Sequence, residues 1–97
     1  MASDPGAIDA ALSAAVGDDP QLIAELRRAF VEGATKAVGA MRTAGSDEEW
    51  RAAAWRLRGL AASFGAVRLM ALAASAGEGG ARDLALTAKL ERAVARL

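Results

Sequence analysis

Apolar residues in this chain recur at intervals of three and four, and nowhere alternate. That period belongs to helices packed on one face, not to strands. The residue types agree: Ala, Leu, Arg and Glu dominate and β-branched residues are few. An all-helical fold is therefore expected. The start and stop signals divide the chain into a short first helix and four longer ones.

The first helix is expected from Asp4 to Val16, with Asp4 as N-cap, Pro5 at the first helical position and Gly17 as terminator. Asp19-Pro20 repeats the same start for a long second helix. Its apolar stripe is Leu22, Ile23, Leu26, Phe30, Ala34, Ala37, Val38 and Met41, and Gly45 is expected to end it. Gly33 and Gly39 inside this helix each cost about 1 kcal/mol relative to Ala, which predicts close approach of a neighbouring helix at both. Ser46-Asp47-Glu48-Glu49 is a capping box that opens the third helix, expected to reach Gly65. A fourth helix follows over 66–76. Gly77-Glu78-Gly79-Gly80 reads as a turn. The last helix is expected over 81–96, anchored by Leu84, Leu86, Leu90, Val94 and Leu97, with Arg92 and Arg96 suited to the negative end of its dipole. Short connections favour antiparallel neighbours. The expectation is an up-down antiparallel four-helix bundle with a short extra N-terminal helix, one domain over 1–97.

Composition narrows the chemistry. Twelve basic and twelve acidic residues cancel, so the chain lacks the basic excess expected of a nucleic-acid binder. It contains no cysteine and no histidine, which removes disulfides and the usual zinc donors. No nucleophile–base pair or phosphate-binding loop is visible. Gly77-Glu78-Gly79-Gly80 lacks the Lys and the strand of a P-loop, and Asp47, Glu48 and Glu49 suit a helix N-terminus for dipole reasons alone. Neither an enzyme nor a cofactor is expected. No run of residues reads as a membrane span or a signal peptide. The Ala- and Arg-rich composition suggests a bacterial source and a cytoplasmic protein.

The third helix carries the informative pattern. At about 100° per residue, Ala54, Leu57, Ala61 and Phe64 fall within about 40° of Trp50 and form the core stripe, which makes Trp50 structural. Trp55 lies about 140° from Trp50, on the outward side, sharing its face with Ala52, Gly59 and Ala62. Arg51, Arg56 and Arg58 flank it. Trp and Arg are the residues enriched at binding hot spots, so this face reads as a docking patch. The alternative is that the first helix folds over Trp55 and buries it.

The segment from Ala54-Trp55-Arg56-Leu57-Arg58-Gly59 to Phe64-Gly65-Ala66 resembles the signature helix of histidine-containing phosphotransfer (HPt) domains. That signature runs His-x-Leu-Lys-Gly, followed by small residues, an apolar residue, Gly and Ala. The stretch from Gly17 through Leu26 to Phe30-Val31-Glu32 is similar to the second helix of the same family. Trp55 stands where the phospho-accepting histidine would be. Arg58 matches the lysine that helps hold the phosphoryl group, and Gly59 the glycine that leaves room for the partner. The resemblance implies a bundle that binds the receiver domain of a response regulator, or a histidine kinase, in two-component phosphorelay signalling. It implies Arg51, Trp55, Arg56, Arg58, Gly59 and Ala62 as the partner-binding face. It also implies a module that cannot transfer phosphate. An indole nitrogen is not basic and offers only a donor hydrogen, whereas phosphorelay needs an imidazole nucleophile. The competing expectation is a structural bundle that self-associates through Trp55 as a homodimer. Incubation with a phosphorylated receiver domain should leave this protein unlabelled, and a stable acid-labile label on it would overturn that expectation.

Overall fold

The computed structural model describes residues 5–97, with side chains from Ile8 onward. The expected N-cap Asp4 lies outside the described residues. Five helices follow in order: α1 (Pro5–Val16), α2 (Pro20–Arg42), α3 (Asp47–Ser63), α4 (Val67–Glu78) and α5 (Leu84–Ala95). No strand occurs among the described residues. None of their helices is long and apolar enough to cross a membrane.

Local chemistry sets most of these boundaries. Gly17 ends α1 in the left-handed region, with φ +82, and its N–H donates to the Ser13 carbonyl at 2.8 Å. Asp19 Oδ1 accepts from the Gln21 and Leu22 N–H groups at 3.1 and 3.2 Å, covering two donors that a helix start leaves unpaired. Ser46 Oγ accepts from Glu49 N–H at 3.1 Å. The Glu49 carboxylate accepts from Gly45 N–H at 2.9 Å, one residue upstream of the usual capping-box partner. At the other end of α3, Gly65 has φ +72. Ala66 N–H donates to Ala61 O at 2.9 Å and Gly65 N–H to Ala62 O at 3.3 Å, the paired bonds of a Schellman stop.

Three boundaries differ from expectation. Helix α2 stops at Arg42 rather than Gly45, because Thr43 closes it: its N–H and its hydroxyl both reach Gly39 O at 3.1 Å. Helix α4 runs through Gly77 to Glu78, so half of the expected turn is helical. Helix α5 begins at Leu84 rather than Ala81. Asp83 caps it by accepting from Leu86 N–H at 3.0 Å, while Arg82 N–H is taken by Asp47 Oδ1 at 2.9 Å. Leu84 is consequently the first residue of a helix, 73% exposed, and is not an anchor.

Each of α2 to α5 packs against two of the others: α3 against α2 and α4, and α5 against α2 and α4. Helix α1 packs against α2, through the buried Ile8 and Leu12. Phe30, Met41, Trp50, Leu57, Leu69 and Leu90 form the large-residue core, with Phe64 stacked on Phe30 at 4.8 Å between ring centroids. The α2 stripe is fully buried from Phe30 through Met41 except at its flanks. Ile23 and Leu26 are half-buried and Leu22 is exposed. Gly33 meets the expectation of close approach, since a Cβ there would lie 2.9 Å from Leu60 Cδ2 of α3. Gly39 does not; a Cβ there meets nothing within 4 Å, and the packing gives no reason for that glycine.

Trp50 is fully buried. Its Nε1–H donates to Thr87 Oγ1 at 2.9 Å, and that hydroxyl donates onward to Asp83 O at 2.9 Å. Thr87 is the buried polar residue that satisfies the indole, and no buried side-chain polar atom among the described residues lacks a partner. Thr87→Val should strand the indole N–H and lower stability by about 1–3 kcal/mol. In a Trp50→Phe background the same substitution should cost much less, which urea denaturation of the four proteins would measure as a coupling energy.

Candidate functional site

Two small-residue helices meet beside Trp55. Ala53, Ala54 and Ala61 of α3, and Ala73, Ala76 and Gly77 of α4, are buried. Small side chains let the two helix backbones come close, and the most demanding point is Gly77. A Cβ built there would lie 2.6 Å from Trp55 Cε2 and 2.9 Å from Cδ2 and Cζ2. All three atoms belong to the six-membered ring, so the indole lies with its benzo face against the α4 backbone. Gly77 is a packing glycine, and this is why α4 carries it inside the helix.

Trp55 is therefore neither free nor covered. It keeps 42% exposure. Among the described residues helix α1 packs on α2 and makes no contact with α3, so those residues do not bury the indole. The Arg58 guanidinium sits 5.3 Å from the Trp55 ring centroid, a cation–π contact that holds the ring from another side.

The other flanking residues separate into different environments. Arg51 is half-buried and donates from Nη1 to Gly80 O at 2.8 Å, so its charge is engaged with the α4–α5 turn. Arg56 is exposed and makes no hydrogen bond or ion pair among the described residues. Gly59 and Ala62 are exposed, and a Cβ on Gly59 would meet nothing within 4 Å. Thus Trp55, Arg56, Arg58, Gly59 and Ala62 share the outward side of α3, while Arg51 is turned to a structural contact.

Between α2 and α3 lies an open groove of about 660 Å³. Gly33, Ala37 and Ala40 line its α2 side; Trp55, Gly59 and Leu60 line its α3 side. Among the described residues Lys36 and Arg56 are its charged members, and no acidic side chain lines it. Lys36 is a site residue that sequence reasoning did not reach. The available signal was its place between Gly33 and Ala37 on one face of α2. Gly77 was also missed, although the apolar series Leu69, Ala73, Ala76 continues through it at helical period.

Among the described residues no three His, Cys, Asp or Glu side chains are grouped to hold a metal. Compared with known proteins, the chain matches no family model, no curated protein and no solved structure.

The Trp55–Gly77 contact yields a sign test. Gly77→Ala should destabilise the wild type by about 1–3 kcal/mol, because the indole must move. In a Trp55→Ala background the clash is absent, and the same change should stabilise by up to about 1 kcal/mol through helix propensity. Thermal or urea denaturation that shows the same sign in both backgrounds would refute the contact.

Proposed function

We propose that this chain is an HPt-like module of two-component signalling that binds its partner and carries no phosphohistidine. In this reading it is a single up-down four-helix domain with α1 added. The closed series of contacts among α2 to α5 supports the bundle, as do the short links 43–46, 64–66 and 79–83, which suit antiparallel neighbours. The partner is the receiver domain of a response regulator, or a histidine kinase. It docks on the outward side of α3 around Trp55.

One observation carries the proposal. The residue at the phospho-acceptor place of the resemblance, Trp55, projects from the exposed side of α3 and is held there by packing, while the motif's Leu57 is buried in the core. The motif thus falls in the register that a presented reactive residue requires, with an indole in place of the imidazole. A half-buried, immobilised aromatic loses little freedom on binding, which suits an anchor. Receiver active sites are acidic, and arginines beside the anchor complement them. With no imidazole available, binding would sequester a response regulator or compete with an active phosphotransfer protein.

Calorimetric titration against a panel of receiver domains and kinase dimerisation domains tests the reading. At least one should bind the wild type, and Trp55→Ala should weaken that complex by about 2 kcal/mol or more, the range of an interface anchor, while circular dichroism shows the helices retained. Trp55→His restores a nucleophile and should gain an acid-labile label from the phosphorylated partner. Absence of binding across the panel would sink the proposal.

A further inference from the structure

We infer that the outer face of α4 and α5, on the side of α4 away from Trp55, docks an acidic segment of a partner protein through Arg68, Lys89, Arg92 and Arg96. The inference does not rest on the signalling assignment, because it uses neither Trp55 nor the outward side of α3.

Contacts fix which sides of the two helices form this face. On α4, Gly77 meets Trp55, so its side of the helix is turned to α3. Ser75 and Ala76 line one cleft with Leu86, so their side is turned to α5. On α5, Glu91 pairs with Arg42 of α2, and Leu86 lies on the opposite, α4 side. At about 100° per residue, Arg68 falls within about 20° of Ser75 on α4. Lys89, Arg92 and Arg96 span about 60° of α5, all at least about 100° from Glu91. The ends match as well. Two α2 residues one turn apart, Arg27 and Phe30, hold Leu97 O and the Phe64 ring. Arg68, four residues past Phe64, and Arg96, next to Leu97, therefore stand at the same end of the molecule.

Charge sets this face apart. All four cations are exposed and have no hydrogen-bond or ion-pair partner among the described residues. No carboxylate stands with them. Glu91 is paired with Arg42, Asp83 caps α5, and Glu78 is ten residues, about 15 Å, along α4 from Arg68. Of the other unpaired cations, Arg28 and Lys36 each lie one turn from Glu32, and Arg58 stacks on Trp55. The imbalance is visible along the chain: residues 1–50 hold four basic and nine acidic side chains, residues 51–97 eight and three. Arg92 and Arg96 suit the C-terminal end of α5, but Arg68 does not suit its own helix. It sits in the first turn of α4, where the dipole disfavours a cation, and no acid shares that turn. Local electrostatics works against Arg68, and nothing in the chain receives its charge. A partner's carboxylates are the complement that this face lacks.

The chemistry favours a protein partner. Three of the four cations are arginines, whose planar fork matches carboxylates. Leu72, Leu86 and Ala93 are half-buried along the seam between the two helices, and a cleft of about 510 Å³ opens at its end beside the 79–83 link. A protein segment supplies apolar side chains to the seam and carboxylates to the arginines together. A half-buried seam offers a membrane little to insert, and a few surface cations alone do not anchor a protein to one. Four cations on a chain of zero net charge also fall short of the basic stripe of a nucleic-acid binder.

The probe is a helix-forming peptide of about 16 residues, just over four turns, with leucines on one face flanked by glutamates. Its control carries lysines in place of the glutamates. Titrated into the nitrogen-15-labelled full chain, the glutamate peptide should shift the amide signals of 68–76 and 86–96; the lysine peptide should not. Raising salt from about 0.05 to about 0.5 M should weaken binding by about tenfold or more. Arg68→Glu is the deciding variant. An acid in the first turn of α4 suits the helix dipole, so its thermal midpoint should equal or exceed that of the wild type, while its affinity for the glutamate peptide falls by about fivefold or more. Trp55→Ala should bind the peptide as the wild type does. No response, equal response to the two peptides, shifts centred on 33–40 and 55–63, or full affinity in Arg68→Glu would overturn the inference. So would sedimentation with phosphatidylserine vesicles, or self-association at rising concentration, that Arg68→Glu abolishes, since a membrane or a second copy would then occupy the face. If the glutamate peptide binds here and no receiver or kinase domain binds the chain, the docking face stands and the signalling assignment falls. If a receiver binds and the peptide does not, the assignment stands and this face is not a docking surface.

Discussion

The buried N–H of Trp50 finds its acceptor in the hydroxyl of Thr87, and that bond governs much of the molecule's other end. An indole N–H left unpaired in a core carries a penalty comparable to a sizeable share of a small domain's stability. Thr87 is placed within reach of the Trp50 indole across the bundle, and its hydroxyl in turn holds Asp83 O. Asp83 is the N-cap of α5, which begins at Leu84 and not at Ala81. The residues left out of the helix form the link 79–83. Its Arg82 donates to Ala44 O and Asp47 Oδ1, and its Gly80 O receives Arg51. Arg51, one turn from Trp55, thus serves the turn and not the outward face.

The second tryptophan of α3 imposes the complementary constraint. The Trp55 indole lies so close to the α4 backbone that a Cβ would clash with it, and Gly77 has none. Glycine inside a helix costs about 1 kcal/mol relative to alanine, so the indole contact must at least offset that cost. The result is an aromatic that is fixed in position yet 42% exposed. A phosphotransfer histidine in the same position would need freedom and solvent access for in-line attack on a phosphoryl group. Trp55 is bulkier than histidine, packs one face of its ring on α4 and carries no basic ring nitrogen.

Local signals in the sequence were legible to the residue where the cap chemistry is short-range. Asp19, Ser46, Gly17 and Gly65 each act within four residues of themselves, and each ends or begins a helix where expected. The errors fall where a residue's role depends on a distant partner. Gly77 looked like a turn residue beside Gly79 and Gly80, yet it lies inside α4 and meets Trp55, which is far away in sequence. Gly33 and Gly39 are indistinguishable on α2 by pattern, yet one faces Leu60 and the other faces nothing. Leu84 fits the apolar period of α5 but lies in its first turn, before the helix meets its neighbours. For the site, periodicity placed Trp55 on the outward side of α3 correctly, because that follows from the angle alone. It could not say that α4 would take one face of the ring, or that Lys36 of α2 would share a groove with Arg56.

The distribution of charge makes the same point. Net charge is zero, and a formal sum would suggest a surface with no preference. The structure partitions the cations by what they touch: Arg27 pairs with Asp9, Arg42 with Glu91, Arg51 and Arg82 with backbone carbonyls. Exposed pairs of this kind contribute little to stability, about 0–1 kcal/mol each. Lys36 and Arg56, which line the α2–α3 groove, have no such partner among the described residues, and the same holds of Arg28, Arg68, Lys89, Arg92 and Arg96 elsewhere on the surface. Which cations are paired follows from which helices meet, and neither the sum of charges nor a residue's place in the chain tells it.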